Sequence, residues 1–117
     1  ALPTPAPRSG VSTFSIEASC DGRVLTLACV GELDVATAAV LDDAIGAHEA
    51  TGADHVVLDL ARTTFIDSSG IAAIVRRELD LAARGGRLEI ERPGRVVRRA
   101  FELCGLLHLI ERDAAPA

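Results

Sequence analysis

Apolar and polar positions along this chain follow two periods in turn. Residues 11–18 alternate, with Phe14, Ile16 and Ala18 on one face and Val11, Thr13, Ser15 and Glu17 on the other, as a strand with one covered face requires. Asp21-Gly22 then precedes the apolar run 24–30, and two strands joined through Asp-Gly predict a hairpin. After Gly31-Glu32-Leu33-Asp34 the period changes. Ala38, Leu41, Ile45 and His48 recur at helical spacing over residues 35–50, with Asp34 as the N-cap and Gly52 as the stop. Gly46 weakens this helix by about 1 kcal/mol relative to Ala.

His55-Val56-Val57-Leu58-Asp59-Leu60 is short, β-rich and suited to burial on both faces. Asp67 or Ser68 then caps a helix over 69–84, whose apolar stripe is read as Ile71, Ile74, Val75, Leu79 and Ala82, with Arg76 and Asp80 paired on the other side. Gly85-Gly86 ends it. Residues 87–91 form a strand with Leu88 and Ile90 inward. Pro93 opens a helix to about Leu103 that buries Val97, Ala100 and Phe101, and Gly105 stops it. Residues 106–110 are read as a last short strand. The order β-β-α-β-α-β-α-β predicts one α/β domain with a mixed, mostly parallel sheet of four to five strands opened by a hairpin and packed by helices. Residues 1–10, with three of the five prolines, are read as a disordered tail, 11–113 as the domain and 114–117 as a frayed end.

Composition narrows the class of partner. The 117 residues are 49% hydrophobic, but contain no Trp, Tyr or Met and only three Phe, so Val, Leu, Ile and Ala must fill the core. A formal net charge of −5 and the lack of aromatic platforms argue against nucleic acid. No apolar stretch approaches the roughly 18 residues of a membrane span, and no signal-peptide pattern opens the chain, so a cytoplasmic protein without membrane contact is expected. Cys20, Cys29 and Cys104 fit neither a zinc nor a disulfide spacing. Cys29 and Cys104 are expected as buried or half-buried thiols, while Cys20, beside the Asp21-Gly22 turn, is open to exposure and oxidation.

Asp67-Ser68-Ser69-Gly70 is the segment with the most chemical potential. Capping alone explains these residue types at a helix start. An exposed serine there could also serve as nucleophile, phosphate ligand or phosphoacceptor. The G-x-S-x-G elbow is absent because Ile66 replaces its first Gly, and no pattern brings His48, His55 or His108 to Ser68 as a base. Phosphate-binding loop motifs are missing, and so is Lys. Glu32, Asp34, Asp59 and Asp67 read as caps and loop ends with no metal set, and no cofactor is expected. The arginines at 92, 95, 98 and 99 read as the exposed face of an amphipathic helix.

Taken together, Gly31-Glu32-Leu33-Asp34, Val56-Val57-Leu58-Asp59-Leu60, Phe65-Ile66-Asp67-Ser68-Ser69-Gly70-Ile71, Gly85-Gly86-Arg87-Leu88 and the helix Val97-Arg98-Arg99-Ala100-Phe101-Glu102-Leu103-Cys104-Gly105-Leu106 resemble the bacterial anti-sigma-factor antagonists of the STAS domain family, over about residues 11 to 112. The resemblance implies a STAS-type fold and a binding module with no activity of its own. It implies that the unphosphorylated form binds an anti-sigma factor that is also a serine kinase of the GHKL type, freeing a sigma factor. The kinase would phosphorylate Ser68, the serine directly after the aspartate, and a serine phosphatase would reset it. Asp34, Asp67, Ser68, Ser69, Gly70 and Ile71 would form the partner surface. A further helix after the last strand is common in the family; this sequence stops near residues 110–117, so either it ends short of that helix or this member lacks it. A different role within the family, as a STAS regulatory subunit of a membrane transport or lipid-trafficking complex, is the alternative, and a serine hydrolase is the enzymatic one.

Overall fold

The computed structural model describes residues 14–49 and 52–110. The predicted tail, residues 111–117 and the His48 side chain lie outside the described residues. Strands β1 (Ser15–Asp21) and β2 (Val24–Leu33) form the expected antiparallel hairpin, with Gly22 at a left-handed φ of 64° in the turn. Helix α1 (Val35–Glu49) follows β2 directly, and β3 (His55–Asp59) returns parallel to β2. Strand β4 (Thr63–Ile66) comes next and leads into α2 (Ser68–Ala83), β5 (Arg87–Glu91) and α3 (Arg95–Leu103).

Among the described residues the sheet has five strands in the order β1-β2-β3-β5, with β4 paired to β2 off that path. Strand β2 is therefore the hub. Its residues 24–28 pair with β3, and Gly31, Glu32 and Leu33 pair with Thr63, Phe65 and Ile66 of β4, across an irregularity between Gly31 and Glu32. Leu25, Leu27 and Cys29 of β2, Val56 and Leu58 of β3, and Leu88 and Ile90 of β5 share one face and are all almost fully buried. Leu41 and Ile45 of α1, Ile74 and Leu81 of α2, and Phe101 of α3 join the same core.

Several sequence-based expectations need correction. The segment 61–66 contains β4, a strand that Thr63-Thr64-Phe65-Ile66 signals by composition but that is only four residues long. Residues 106–110 do not form a strand: 108–110 are helical, and Leu109 and Ile110 are buried in the core. On α2 the buried face holds Gly70, Ile71, Ala73, Ile74 and Leu81, whereas Leu79 is 62% exposed and Ala82 is also exposed. Asp80 pairs with Arg84 at 2.9 Å and Arg77 at 3.8 Å. Arg77 also reaches across to α1, donating to the Asp42 carboxylate at 2.7 Å and to the Asp42 carbonyl at 3.1 Å. It lies over Gly46, where an added Cβ would come within 2.9 Å of its guanidinium. The glycine that looks like a helix defect is thus the place where α1 makes room for α2.

Candidate functional site

The site is built where β2 and β4 end side by side. Leu33 and Ile66 are register partners in parallel strands, so the next residues, Asp34 and Asp67, open two neighbouring helices. Asp67 is the N-cap of α2: its Oδ1 accepts from the Ser69 N–H at 2.9 Å and the Gly70 N–H at 3.2 Å. The Asp67 N–H in turn donates to the Leu33 carbonyl at 3.1 Å, which fixes the cap to the sheet. Asp34 caps α1 in the same manner. Its Oδ1 accepts from the Ala36 and Thr37 N–H groups, while the Thr37 hydroxyl accepts from the Asp34 N–H at 2.8 Å and donates to the Glu32 carbonyl at 2.6 Å. The N–H groups of this turn, that of Thr37 foremost, hold the Asp34 carboxyl below the usual carboxylate range against a smaller effect of burial.

Ser68 is the first residue of α2 and is exposed, and its hydroxyl takes no part in the cap. Ser69 is half-buried. Gly70 and Ile71 turn inward, Ile71 being 8% exposed, so they seat the helix instead of meeting solvent. Gly70 is where α2 touches the sheet: a Cβ there would lie 3.0 Å from the Leu33 carbonyl oxygen and 2.9 Å from the Ile66 side chain. All six residues singled out in the sequence thus lie at one corner, with two of them acting from beneath.

Sequence reasoning missed the apolar border of this corner. Val35 is 75% exposed at the start of α1, and Phe65 is 43% exposed on β4. Between α1 and α2 runs an open groove of about 400 Å³ lined by Val35, Ala38, Ala39, Asp42, Ser69, Ala72 and Arg76. The available signal for Val35 was an apolar residue directly after a cap, ahead of the buried positions of its helix. Phe65 could be assigned only once β4 was recognised.

Catalytic alternatives find little support in the geometry. His55 pairs with Val24 at the start of β2, whereas Ile66 pairs with Leu33 at its end. At about 3.3 Å per residue the two sites lie roughly 30 Å apart along the strand. His55 is engaged with Glu89 at 3.1 Å, and His108 is exposed beyond α3. Among the described residues no group of His, Cys, Asp and Glu has the arrangement of a metal site. Cys29 is buried, and burial, with the Asp59 charge adding to it, pushes its thiol up to about 12, so it stays protonated. Cys104 is exposed, contrary to expectation, and Cys20 is exposed as well. No helix among the described residues is long and apolar enough to cross a membrane.

A model of the STAS domain matches residues 15–115. The chain belongs to the STAS domain family. Within it, the chain is 29% identical to the anti-sigma-F factor antagonist RsfB of Mycobacterium tuberculosis over 98 residues, which is 84% of this chain and 80% of that protein. Its fold is similar to that of the anti-sigma factor antagonist SpoIIAA in its unphosphorylated form, with a TM-score of 0.74 and 25% identity over 86% of this chain and 92% of the other. Against the Bacillus cell fate determinant SpoIIAA in its phosphorylated form the TM-score is 0.67, again at 25% identity, over 87% of this chain and 96% of the other. The STAS domain thus resembles its anti-sigma-factor-antagonist relatives across most of its length.

Proposed function

We propose that this STAS domain is an anti-sigma-factor antagonist whose unphosphorylated form binds an anti-sigma factor of the GHKL serine-kinase type and so frees a sigma factor. Phosphorylation of Ser68 turns it off, and a serine phosphatase restores it. It works in the cytoplasm, as a substrate of the kinase and without catalysis of its own.

The observation that carries this reading is the division of labour at the start of α2. Asp67 does the capping, so Ser68 is left exposed with its hydroxyl free of the cap. In the transfer, Ser68 Oγ forms a bond to the γ-phosphorus of ATP as the bond from that phosphorus to the ADP oxygen breaks, and the hydroxyl proton passes to a base of the kinase. The phosphate then sits beside the Asp67 carboxylate, which already accepts the Ser69 and Gly70 N–H groups. Those donors are occupied, so the favourable helix-terminus field is partly used up, and about −1.5 to −2 new charges face a carboxylate. The core does not meet this charge, because Ser68 is outside it. The switch therefore acts at the contact surface, where Val35, Phe65 and the groove between α1 and α2 offer apolar area that a desolvated dianion would spoil.

The test is intact-mass measurement after incubation with candidate anti-sigma kinases and ATP. One added phosphate is expected on the wild type and on Ser69→Ala, and none on Ser68→Ala. A phosphate that survives Ser68→Ala would refute the assignment. Failure with every such kinase, together with co-purification of membrane transport subunits, would favour the transporter role instead. Amide chemical shifts should change around residues 34–37 and 65–71 on phosphorylation and remain in place across β3 and β5.

A further inference from the structure

Helix α3 has a second face that neither the core nor the Ser68 corner uses. Its inner side is consumed by Val97 and Phe101, both fully buried. Its outer side carries Arg95 and Arg99 one turn apart, with Val96 and Leu103 two turns apart on the same stripe. Val96 is 64% exposed and Leu103 70%. Arg95, Val96 and Arg99 line one open concavity. Among the described residues Arg99 forms an ion pair with the exposed Glu102 alone, at 3.1 Å and of little energetic weight, and Arg95 has no ion-pair partner. Arg92, just before the helix, is turned back onto Asp59 and does not belong to the stripe.

The charge here runs against the rest of the molecule. Three arginines against Glu102 leave α3 at +2 in a chain of formal charge −5, so the remainder stands at −7. That contrast selects the size of the partner. An anionic bilayer or a nucleic acid is extended and would face the acidic remainder along with α3. A peptide can lie along α3 alone, within the 8–10 Å over which charge acts at moderate salt. A bilayer also needs a broad apolar face, whereas only two aliphatic side chains project from this nine-residue helix.

We propose that the outer face of α3 is a docking site for an acidic peptide segment of a partner protein, one that alternates carboxylates with aliphatic side chains. The carboxylates meet Arg95 and Arg99, and the aliphatic groups cover Val96 and Leu103. This recognition differs in chemistry from the Ser68 corner and does not depend on the state of Ser68.

Fluorescence anisotropy of a labelled peptide alternating Glu and Leu, titrated with the full chain, tests it. Binding is expected at low salt and should weaken as salt rises. Reversing both charges, in Arg95→Glu with Arg99→Glu, should weaken it about tenfold or more. Val96→Ser should weaken it about fivefold. Ser68→Asp should leave it unchanged, which separates this site from the kinase contact. An unaltered unfolding transition in the variants would show that the loss is local. Equal binding to the double charge variant, equal binding of a peptide with Ser in place of Leu, or binding of phosphatidylserine vesicles without the peptide would each overturn the proposal.

Discussion

Two glycines show how the same residue type carries opposite consequences. At Gly70 an added Cβ would meet backbone, 3.0 Å from the Leu33 carbonyl oxygen, whereas at Gly46 it would meet the far end of the Arg77 side chain. Alanine would favour either helix by about 1 kcal/mol through propensity. At Gly70 the sheet cannot yield, and overpacking costs about 1–3 kcal/mol, so Gly70→Ala should be destabilising on balance. At Gly46 the guanidinium can swing away, and Gly46→Ala should change stability by less than about 0.5 kcal/mol. Urea unfolding of both variants checks the contrast, and a larger loss at Gly46 than at Gly70 would contradict it. Asp67→Ala belongs to the same scale. Loss of the cap should cost about 1 kcal/mol, measured in the same way.

Among the elements, those with long and regular patterns were legible from the sequence. The β1–β2 hairpin, α1, β3, β5 and α3 lie where periodicity and turn chemistry put them. So do the two aspartate caps. Strand β4 was missed because four residues are too few to establish alternation, and Thr63 and Ile66 are buried at its ends while Thr64 and Phe65 are exposed between them. The residues after Gly105 were misread because so short a stretch, with four apolar positions around His108, fits a strand or a buried helical turn equally well. On α2, Leu79 was counted into the core by hydrophobicity alone, although the packing surface set by Gly70, Ile74 and Leu81 passes it by. The site suffered less from these errors than its border did. Its polar residues sit in caps, which local sequence dictates, while Val35 and Phe65 depend on where two strands end. Helix α3, which packs beside β4, depends on its buried aromatic. Phe101→Ala should cost about 3–5 kcal/mol and loosen α3 in hydrogen exchange before the β2–β3 pairing, and uniform loss of protection would count against that order.

For the whole molecule, acid is the direction of weakness. Asp34 is held low by the N–H groups of its turn, and Asp54 by the hydrogen bond and charge of Arg23. Burial pushes Asp59 up, but the Arg92 guanidinium and the Ala61 N–H outweigh it and leave its carboxyl below the usual range. In each case the unfolded chain binds a proton more readily than the folded one. Their stabilising effect is therefore complete above the unfolded carboxylate value, near 4, and is lost as pH falls through the lower folded values. The melting temperature should hold between pH 7 and pH 5 and fall below about pH 4. Asp59→Asn should flatten that acid limb, and an unchanged limb would show that other carboxyls govern it.

The tandem pairing along β2 also limits how the chain can change length. One strand serves as a common ruler for β3 and β4, so the three residues between them, 60–62, set which side of β4 faces inward. An extra residue in that turn would rotate Phe65 and Ile66 by one place and carry Asp67 away from the Leu33 carbonyl that anchors it. Length in this connection is as much a part of the site as Ser68 itself. The Gly22 turn carries less of this duty, since a residue added before Gly22 lengthens the hairpin loop and leaves Arg23, whose carbonyl accepts from the Asp54 and His55 N–H groups, next to β2. Descendants of this domain should accumulate insertions after Asp21 and exclude them after Leu60. A single glycine inserted at each place, followed by kinase-dependent phosphorylation, would distinguish the two.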